Sequence, residues 1–292
     1  MAYTTSNPAG VAQGATDLAL KVFSGEVLTA FAARNVFLPT VNTRTISSGK
    51  SAQFPVIGSY AQGDVETHTP GTDITINNIA GGEQTISIAS RQYASVFVDE
   101  FEEAMAHYEV RGQYSSEIGN ALATKVDKAV VAKLDACASA TPATGQPAVN
   151  ADLTLGATPS ANAIVEAIFD AVAALEGKDV TGDKVCVVTP AAYYQLVQSD
   201  KAVNRDWSNG NGGIDTGNVF QIAGVPIMMS NNIGSGMWGY VFTSQAVGVV
   251  KLMDIKSEAN YIPEKLGTLM TSSYAMGEGV LNAGCSVRLS QS

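Results

Sequence analysis

The stretch YEVRGQYSSEIGNALATKVDKAVVAKLDACA, residues 108–138, decides how this chain is read. Val110, Tyr114, Ile118, Ala121, Leu122, Val126, Ala129, Val130, Leu134 and Cys137 recur at steps of three and four, the spacing that lines one face of an α-helix. Arg111, Ser115, Asn120, Thr124, Asp127, Lys128 and Asp135 fall mainly on the other faces. Thr141-Pro142 ends the helix, because proline has no N–H and crowds the preceding turn. At ~1.5 Å per residue it spans about 45 Å, and the mean helix of a globular protein is only about 11–12 residues long. A helix of that length with one apolar stripe suits a spine.

Before the spine the chain does not read as a compact core. Residues 1–14 are small and polar, with little to hold them except neighbours. Asp17 caps a predicted helix through Phe31, whose apolar positions include Leu18, Val22, Phe23, Val27 and Leu28, with Gly25 as a weak point. Such an amphipathic arm needs a partner surface, on its own subunit or on another. Ser51–Ile57 and Thr85–Ala89 read as strands. Between them, Gly58–Gly82 is long and punctuated by Pro70-Gly71 and Gly81-Gly82; loops of that length usually carry function or extend away from the body. A lone hairpin is marginal in water, so this one is expected to project and to lie on another subunit.

After the spine, Thr141–Ser160 marks a boundary rich in Ala, Thr, Pro and Gly. A helix over Asn162–Glu176 follows, with Ile164, Val165, Ile168, Val172 and Leu175 facing inward and Gly177 at its end. Lys184–Val188 reads as a strand. Thr189-Pro190 then opens a short helix through Val197, with Thr as N-cap and Pro at the first helical position. Residues 200–218 read as a flexible loop carrying Trp207. Strands at Val225–Ser230 and Tyr240–Thr243 complete a β-α-β alternation, and Val247–Leu289 reads as mostly β.

The 292 residues are 46% hydrophobic but only 15% charged, and interface cores are depleted in just those charges. The net charge of −10 excludes a nucleic-acid binder that works by replacing phosphate counterions. Cys137, Cys186 and Cys285 are too far apart for a metal motif and odd in number, so reduced thiols in a cytoplasm are expected. The start of the chain lacks the basic and apolar regions of a signal peptide. No apolar run approaches the ~18 residues of a membrane span.

Catalytic motifs are matched by letter only. Gly49-Lys50-Ser51 ends like a phosphate loop, but Arg44 stands where the motif needs glycine and a strand follows instead of a helix. The run from Gly234 to Gly239 spells a dinucleotide fingerprint, again before a strand. The two histidines, His68 and His107, leave little for a Ser-His or Cys-His device. The acidic cluster Asp99, Glu100, Glu102 and Glu103 reads as a solvated or interfacial face. Lys50, at the hairpin base, is either an inter-subunit ion-pair partner or a lysine that guards an edge strand. Trp207 is either an interface anchor or folded back on its own domain. No catalytic residue, cofactor or metal is expected.

Arm, projecting hairpin, spine and α/β layer in this order resemble the major capsid proteins of tailed bacteriophages, in detail those of short-tailed podoviruses infecting enteric and marine bacteria. The resemblance is carried by LKVFSGEVLTAF (20–31), RTISSGKSAQFPVIG (44–58), FEEAMAHYEVR (101–111), VGVVKL (247–252) and YAMG (274–277). It implies an α+β fold with an N-terminal arm at 1–45, an extended loop at 46–90, a peripheral domain at 91–142 and 242–275, and an axial domain at 143–241 and 276–292. It also implies a structural subunit that forms hexamers and pentamers of an icosahedral shell around double-stranded DNA. The implied partners are a scaffolding protein, a portal and DNA packaged without sequence-specific binding, with no membrane. The implied place is the virion, assembled in the host bacterial cytoplasm. Lys50, Phe54, Arg111 and Trp207 are then the candidate assembly contacts. An encapsulin-like compartment shares the fold, and a soluble α/β enzyme is the reading from another class.

Overall fold

The computed structural model describes residues 13–57, 65, 67–74, 79, 81–105, 111–142, 146–149, 152–199, 212–213, 218–219 and 221–291. The chain runs α1 (Gln13–Arg34), β1 (Asn42–Thr45), β2 (Ser51–Ile57), β3 (Gly81–Ser87), β4 (Gln92–Asp99), α2 (Glu100–Met105) and α3 (Arg111–Cys137). It continues through β5 (Leu153–Thr154), α4 (Ala161–Glu176), β6 (Lys184–Val188), α5 (Pro190–Val197), β7 (Gly212–Gly213), β8 (Asn218–Val219) and β9 (Gln221–Ile222). Last come β10 (Val225–Met229), β11 (Met237–Thr243), β12 (Val247–Ile262), β13 (Gly267–Val280) and β14 (Ser286–Ser290).

These elements form two compact units. The first takes the described residues up to Asn35, then Ser90–Val126 and Leu252–Met276. The second takes Val36–Ala89, Asp127–Lys251 and the chain from Gly277 onward.

In the first unit, β13 pairs antiparallel with β4 from Gly267↔Asp99 to Tyr274↔Gln92. The buried Ser257 and Ser272 hydroxyls lie 2.8 Å apart, and Arg91 Nε donates to Ser273 Oγ at 2.9 Å. Buried polar groups without partners are costly, so this serine seam fixes the strands through mutual satisfaction. The N-terminal half of α3 carries α1. Phe23, Val27 and Phe31 are the buried face of α1, at the spacing that the sequence predicts, and the helix passes through Gly25 unbroken.

The second unit is built on a six-stranded sheet in the order β5-β14-β11-β6-β10-β9. β10 pairs parallel with β6, whereas β11 pairs antiparallel with both β6 and β14. The sheet is therefore mixed. Val187, Val188, Val241 and Leu289 lie fully buried in it, and Ile164, Ile168 and Leu175 of α4 and Leu196 of α5 are equally buried. Removing such a side chain to alanine costs about 2–5 kcal/mol, so these residues define the core. Ser160 Oγ accepts from Ala163 N and Thr189 Oγ1 from Ala192 N, capping the two helices as predicted. β1 adds to this unit by pairing in parallel with β12, Asn42↔Gly248 through Thr45↔Lys251.

The structure departs from the sequence reading in α3 and in the hairpin. Within α3, Tyr114 and Ala121 face solvent, while Ser115 and Asp127 are fully buried. α1 covers the side that holds Ser115, and the residues that follow α1, Val36 and Phe37, donate to Asp127. β3 starts at Gly81, four residues ahead of the predicted start, because the register of β2 demands a partner for Val56 and Ile57. Gly81-Gly82 is thus strand rather than punctuation. Residues 106–110 and 200–211, with the predicted spine start, His107 and Trp207, lie outside the described residues.

Candidate assembly surfaces

The arm is held by its own chain. In α3, Gly112, Ser115 and Gly119 recur along one face and let α1 approach closely. Ser115 Oγ donates to Glu26 of α1, and an added Cβ at Gly119 would sit 2.7 Å from Val27 O and 2.8 Å from Ala30 Cβ. Only glycine permits that approach. Glu26 meets residues 112–115 and residues 27–31 meet 119, so the two helices run in parallel.

The hairpin has a supported root and an unsupported end. β2 and β3 pair from Ser51↔Ser87 to Ile57↔Gly81, and Ile88 N donates to Lys50 O at 2.8 Å to close the base. Strand alternation sends Ala52, Phe54 and Ile86 inward, where all three are buried. Ile86 rests on glycines: a Cβ at Gly248 or Gly279 would press into its side chain, and one at Gly277 would lie 2.5 Å from Ser87 O. The root is therefore packed on its own unit. Farther out, Ile57 is 78% exposed and Ile74 78%, with Val65 and Ile79 also open. Thr69-Pro70-Gly71-Thr72 is a turn closed by Thr72 N donating to Thr69 O, with Gly71 at φ +91°.

Of the four predicted contact residues, Lys50 and Phe54 have described side chains. Lys50 is exposed at the hairpin base. Phe54 is buried against its own chain. Arg111 opens α3. Trp207 lies outside the described residues.

A second exposed apolar group was not anticipated. Phe97, Phe101, Tyr261 and Leu266 are exposed around the β4–α2 junction and the β12–β13 connection. Glu100 N donates to Leu266 O at 3.1 Å, Tyr261 OH donates to Glu100 at 3.1 Å, and the Phe97 ring covers Gly267. Leu266 adopts a left-handed φ of 47°, which a bulky side chain rarely does. The alternation along β4 carried a signal, because Tyr93 and Phe97 share a face with Ser95. The acidic cluster has a structural share here, since Asp99 Oδ1 accepts from Phe101 N at 2.8 Å.

Arg288 of β14 is the strongest charged clamp. It donates to Asp135 of α3 at 2.8 Å and to Asp152 by two nitrogens. The two carboxylates hold its guanidinium protonated. Burial, and Asp135 close by, push the Tyr240 phenol well above its ordinary range. An open cleft of about 400 Å³ lies beside this clamp, between α3 and residues 231–235. Its only acid and phenol are already engaged with each other or with Arg288. Among the described residues, no group of three or more His, Cys, Asp or Glu is arranged for a metal, and no helix is long and apolar enough to cross a membrane. Cys137, Cys186 and Cys285 are free and buried. Burial raises the thiols of Cys137 and Cys186 to about 12. They stay protonated and unreactive. Among the described residues, the exposed apolar groups are the candidate docking surfaces.

Comparison with known proteins agrees with that geometry. The chain is 43% identical over 130 residues to the major capsid protein of Enterobacteria phage T3, covering 43% of this chain and 37% of that one. It is 42% identical over 132 residues to the major capsid protein of Escherichia phage T7, 44% of this chain and 38% of that one. The chain thus spans under two fifths of the length of these curated relatives. The solved capsid of the cyanophage P-SCSP1u superposes with a TM-score of 0.75 at 33% identity, covering 88% of both chains. The model of the Gp10A-like major capsid proteins matches residues 53–238 and 235–290. Matched over most of its length, and at 33% identity to a capsid chain of like extent, this chain belongs to the Gp10A-like family of major capsid proteins.

Proposed function

We propose that this chain is the shell subunit of a short-tailed phage, forming hexamers and pentamers that enclose double-stranded DNA. Family membership carries the reading, and the exposed Ile57, Val65, Ile74 and Ile79 beyond a well-supported hairpin root agree with it. Isolated apolar residues at the end of a strand pair are unstable in water and gain by burial, about 25 cal/mol per Å² before association costs. A shell multiplies such modest contacts over many neighbours.

In this reading, residues 1–45 act as the arm and 46–90 as the extended loop over a neighbour. Residues 91–142 with 242–275 act as the peripheral domain, and 143–241 with 276–292 as the axial domain. Lys50, Arg111 and Trp207 contribute at contacts, and Phe54 acts indirectly by stiffening the hairpin root. The role is structural rather than catalytic. A scaffolding protein and a portal guide assembly in the bacterial cytoplasm, and an acidic surface lets DNA pack without sequence-specific binding. The product is part of the virion.

The test is expression with and without a scaffolding partner, followed by negative-stain microscopy and sedimentation. Closed shells, or rings of capsomers, are expected. Deleting residues 59–82 should leave a soluble folded body that no longer assembles. Normal particles from that deletion, or a persistent monomer with scaffold present, would overturn the reading.

A further inference from the structure

β4, in the first unit, is a strand with one side in use. It pairs antiparallel with β13, residue for residue from Gly267↔Asp99 to Tyr274↔Gln92. Among the described residues, no strand lies along its other side. Glu100 N donates to Leu266 O, the next step of that register. The alternation of an antiparallel ladder therefore turns the N–H and C=O groups of Gln92, Ala94, Val96 and Val98 toward β13. Those of Tyr93, Ser95 and Phe97 point to the open edge.

That edge is unguarded. Edge strands are kept single by a lysine, a proline, a bulge or brevity. β4 reads QYASVFVD, eight residues with neither lysine nor proline, and its register with β13 is unbroken. Tyr93 is 73% exposed and Phe97 41%, with Ser95 exposed between them on the same face.

The strand is also complementary to itself. When two copies meet antiparallel about a two-fold axis at Ser95, Tyr93 of each lies opposite Phe97 of the other, and Arg91 opposite Asp99. The first match sets ring against ring on the exposed face, and the second sets opposite charges at both ends. A shift of two residues either way puts Tyr93 opposite Ser95 or Asp99 and loses both matches. Arg91 gives two nitrogens to Ser273 Oγ, and Asp99 Oδ1 accepts from Phe101 N. A guanidinium has five N–H groups and a carboxylate about four acceptor sites, so both retain capacity for a second partner.

We propose that β4 is a self-association edge: two copies of this chain pair β4 with β4, antiparallel about Ser95. The pairs Ser95–Ser95, Tyr93–Phe97 and Phe97–Tyr93 then supply about six backbone hydrogen bonds. Such a contact is small beside the ~1,600 Å² of a standard interface. It holds where other contacts already keep the copies together, because the effective concentration is then high. That use rests on the shell reading; the pairing itself needs only two copies.

The test is disulfide trapping on the full chain, whose three native cysteines are buried. It is run on the concentrated soluble subunit and on assembled particles, with copper–phenanthroline in air as oxidant. Ser95→Cys should give a covalent dimer, because opposite residues of a hydrogen-bonded antiparallel pair have Cα atoms about 5.5 Å apart. Tyr93→Cys alone should not, since residue 93 of the other copy lies four residues along the strand, about 13 Å away. The Ser95→Cys dimer should form about tenfold or more faster. Mixed Tyr93→Cys and Phe97→Cys subunits should link to each other rather than to themselves. All three side chains are exposed, so these variants leave the pairing of β4 with β13 in place. Equal rates at positions 93 and 95, or no Ser95→Cys dimer in either sample, overturn the proposal, whether a strand of another protein takes the edge or none does. Shells that form without the link at position 95 sink this pairing and leave the shell reading standing. A Ser95→Cys dimer from a chain that forms no shell does the reverse.

Discussion

Gly119 and Val27 are as close as two packed helices allow: a Cβ on Gly119 would lie 2.7 Å from the Val27 carbonyl oxygen. The atom it would meet is backbone and cannot swing away. Gly119→Val should therefore push α1 off α3, with a loss of about 1–3 kcal/mol. Thermal unfolding should show this as a fall in Tm of several degrees, and proteases should cut α1 sooner. Gly25→Ala is the control, because nothing lies within 4 Å of its would-be Cβ. It should be neutral or stabilising by about 0.5–1 kcal/mol, since glycine is costly inside a helix.

The hairpin root offers a similar contrast. At Gly277 a Cβ would meet Ser87 O at 2.5 Å, whereas at Gly82 it would meet nothing. Gly277→Ala should loosen β3 and raise amide exchange at Ser87 and Ile88, while Gly82→Ala should change neither. If both variants retain wild-type exchange, the glycine support of the hairpin is wrong.

Arg288 neutralises two carboxylates. Arg288→Met would leave Asp135 and Asp152 without their shared cation, which should lower stability by about 1 kcal/mol, since both carboxylates are partly screened by solvent. Adding Asp152→Asn should restore part of that loss, because the repulsion between the two carboxylates is gone while Asp135 still lacks its cation. Urea denaturation of the single and double variants measures the difference directly.

The buried thiols set an alkaline limit. In the unfolded chain Cys137 and Cys186 ionise near their ordinary value of 9.0, and in the folded chain near 12. Above pH 9 the unfolded state therefore binds fewer protons, so stability is full below pH 9 and declines as pH rises toward 12. Cys186→Ala should be less stable at pH 7, through lost packing, but should show a shallower decline over that window. A decline equal to that of the wild-type chain would exclude Cys186 as a contributor.

Much of this was legible because local rules and packing agreed. β2, β6 and α5 match their predicted limits, and all five inward residues of α4 are buried. In each case the period, the cap and the breaker point the same way. The failures share one physical cause, which is that another element decided the outcome. Asp127 was assigned to a polar face by its charge, although it follows Ala123 by four residues and precedes Val130 by three on the buried stripe. Its partners include the Val36 and Phe37 N–H groups some ninety residues away and the side chain of Asn232, which no local pattern encodes. Gly81-Gly82 reads as a break until β2 supplies a register. The exposed group around Leu266 depends on a left-handed turn and on β4 meeting β13, both tertiary facts. Of the four proposed contacts, only Lys50 could be placed at an exposed position by strand ends alone.

The order of the six-stranded sheet has a consequence for synthesis on the ribosome. β14, residues 286–290, lies between β5 and β11, although it is made after every other strand in that sheet. Until those residues emerge from the exit tunnel, β11 has a bare edge and Asp135 and Asp152 have no Arg288. A nascent chain therefore cannot finish its second unit early, and a truncated product would expose an open strand to whatever it meets. Placing β14 between β5 and β11 makes translation itself a checkpoint: the second unit is complete only after residue 290 has been added.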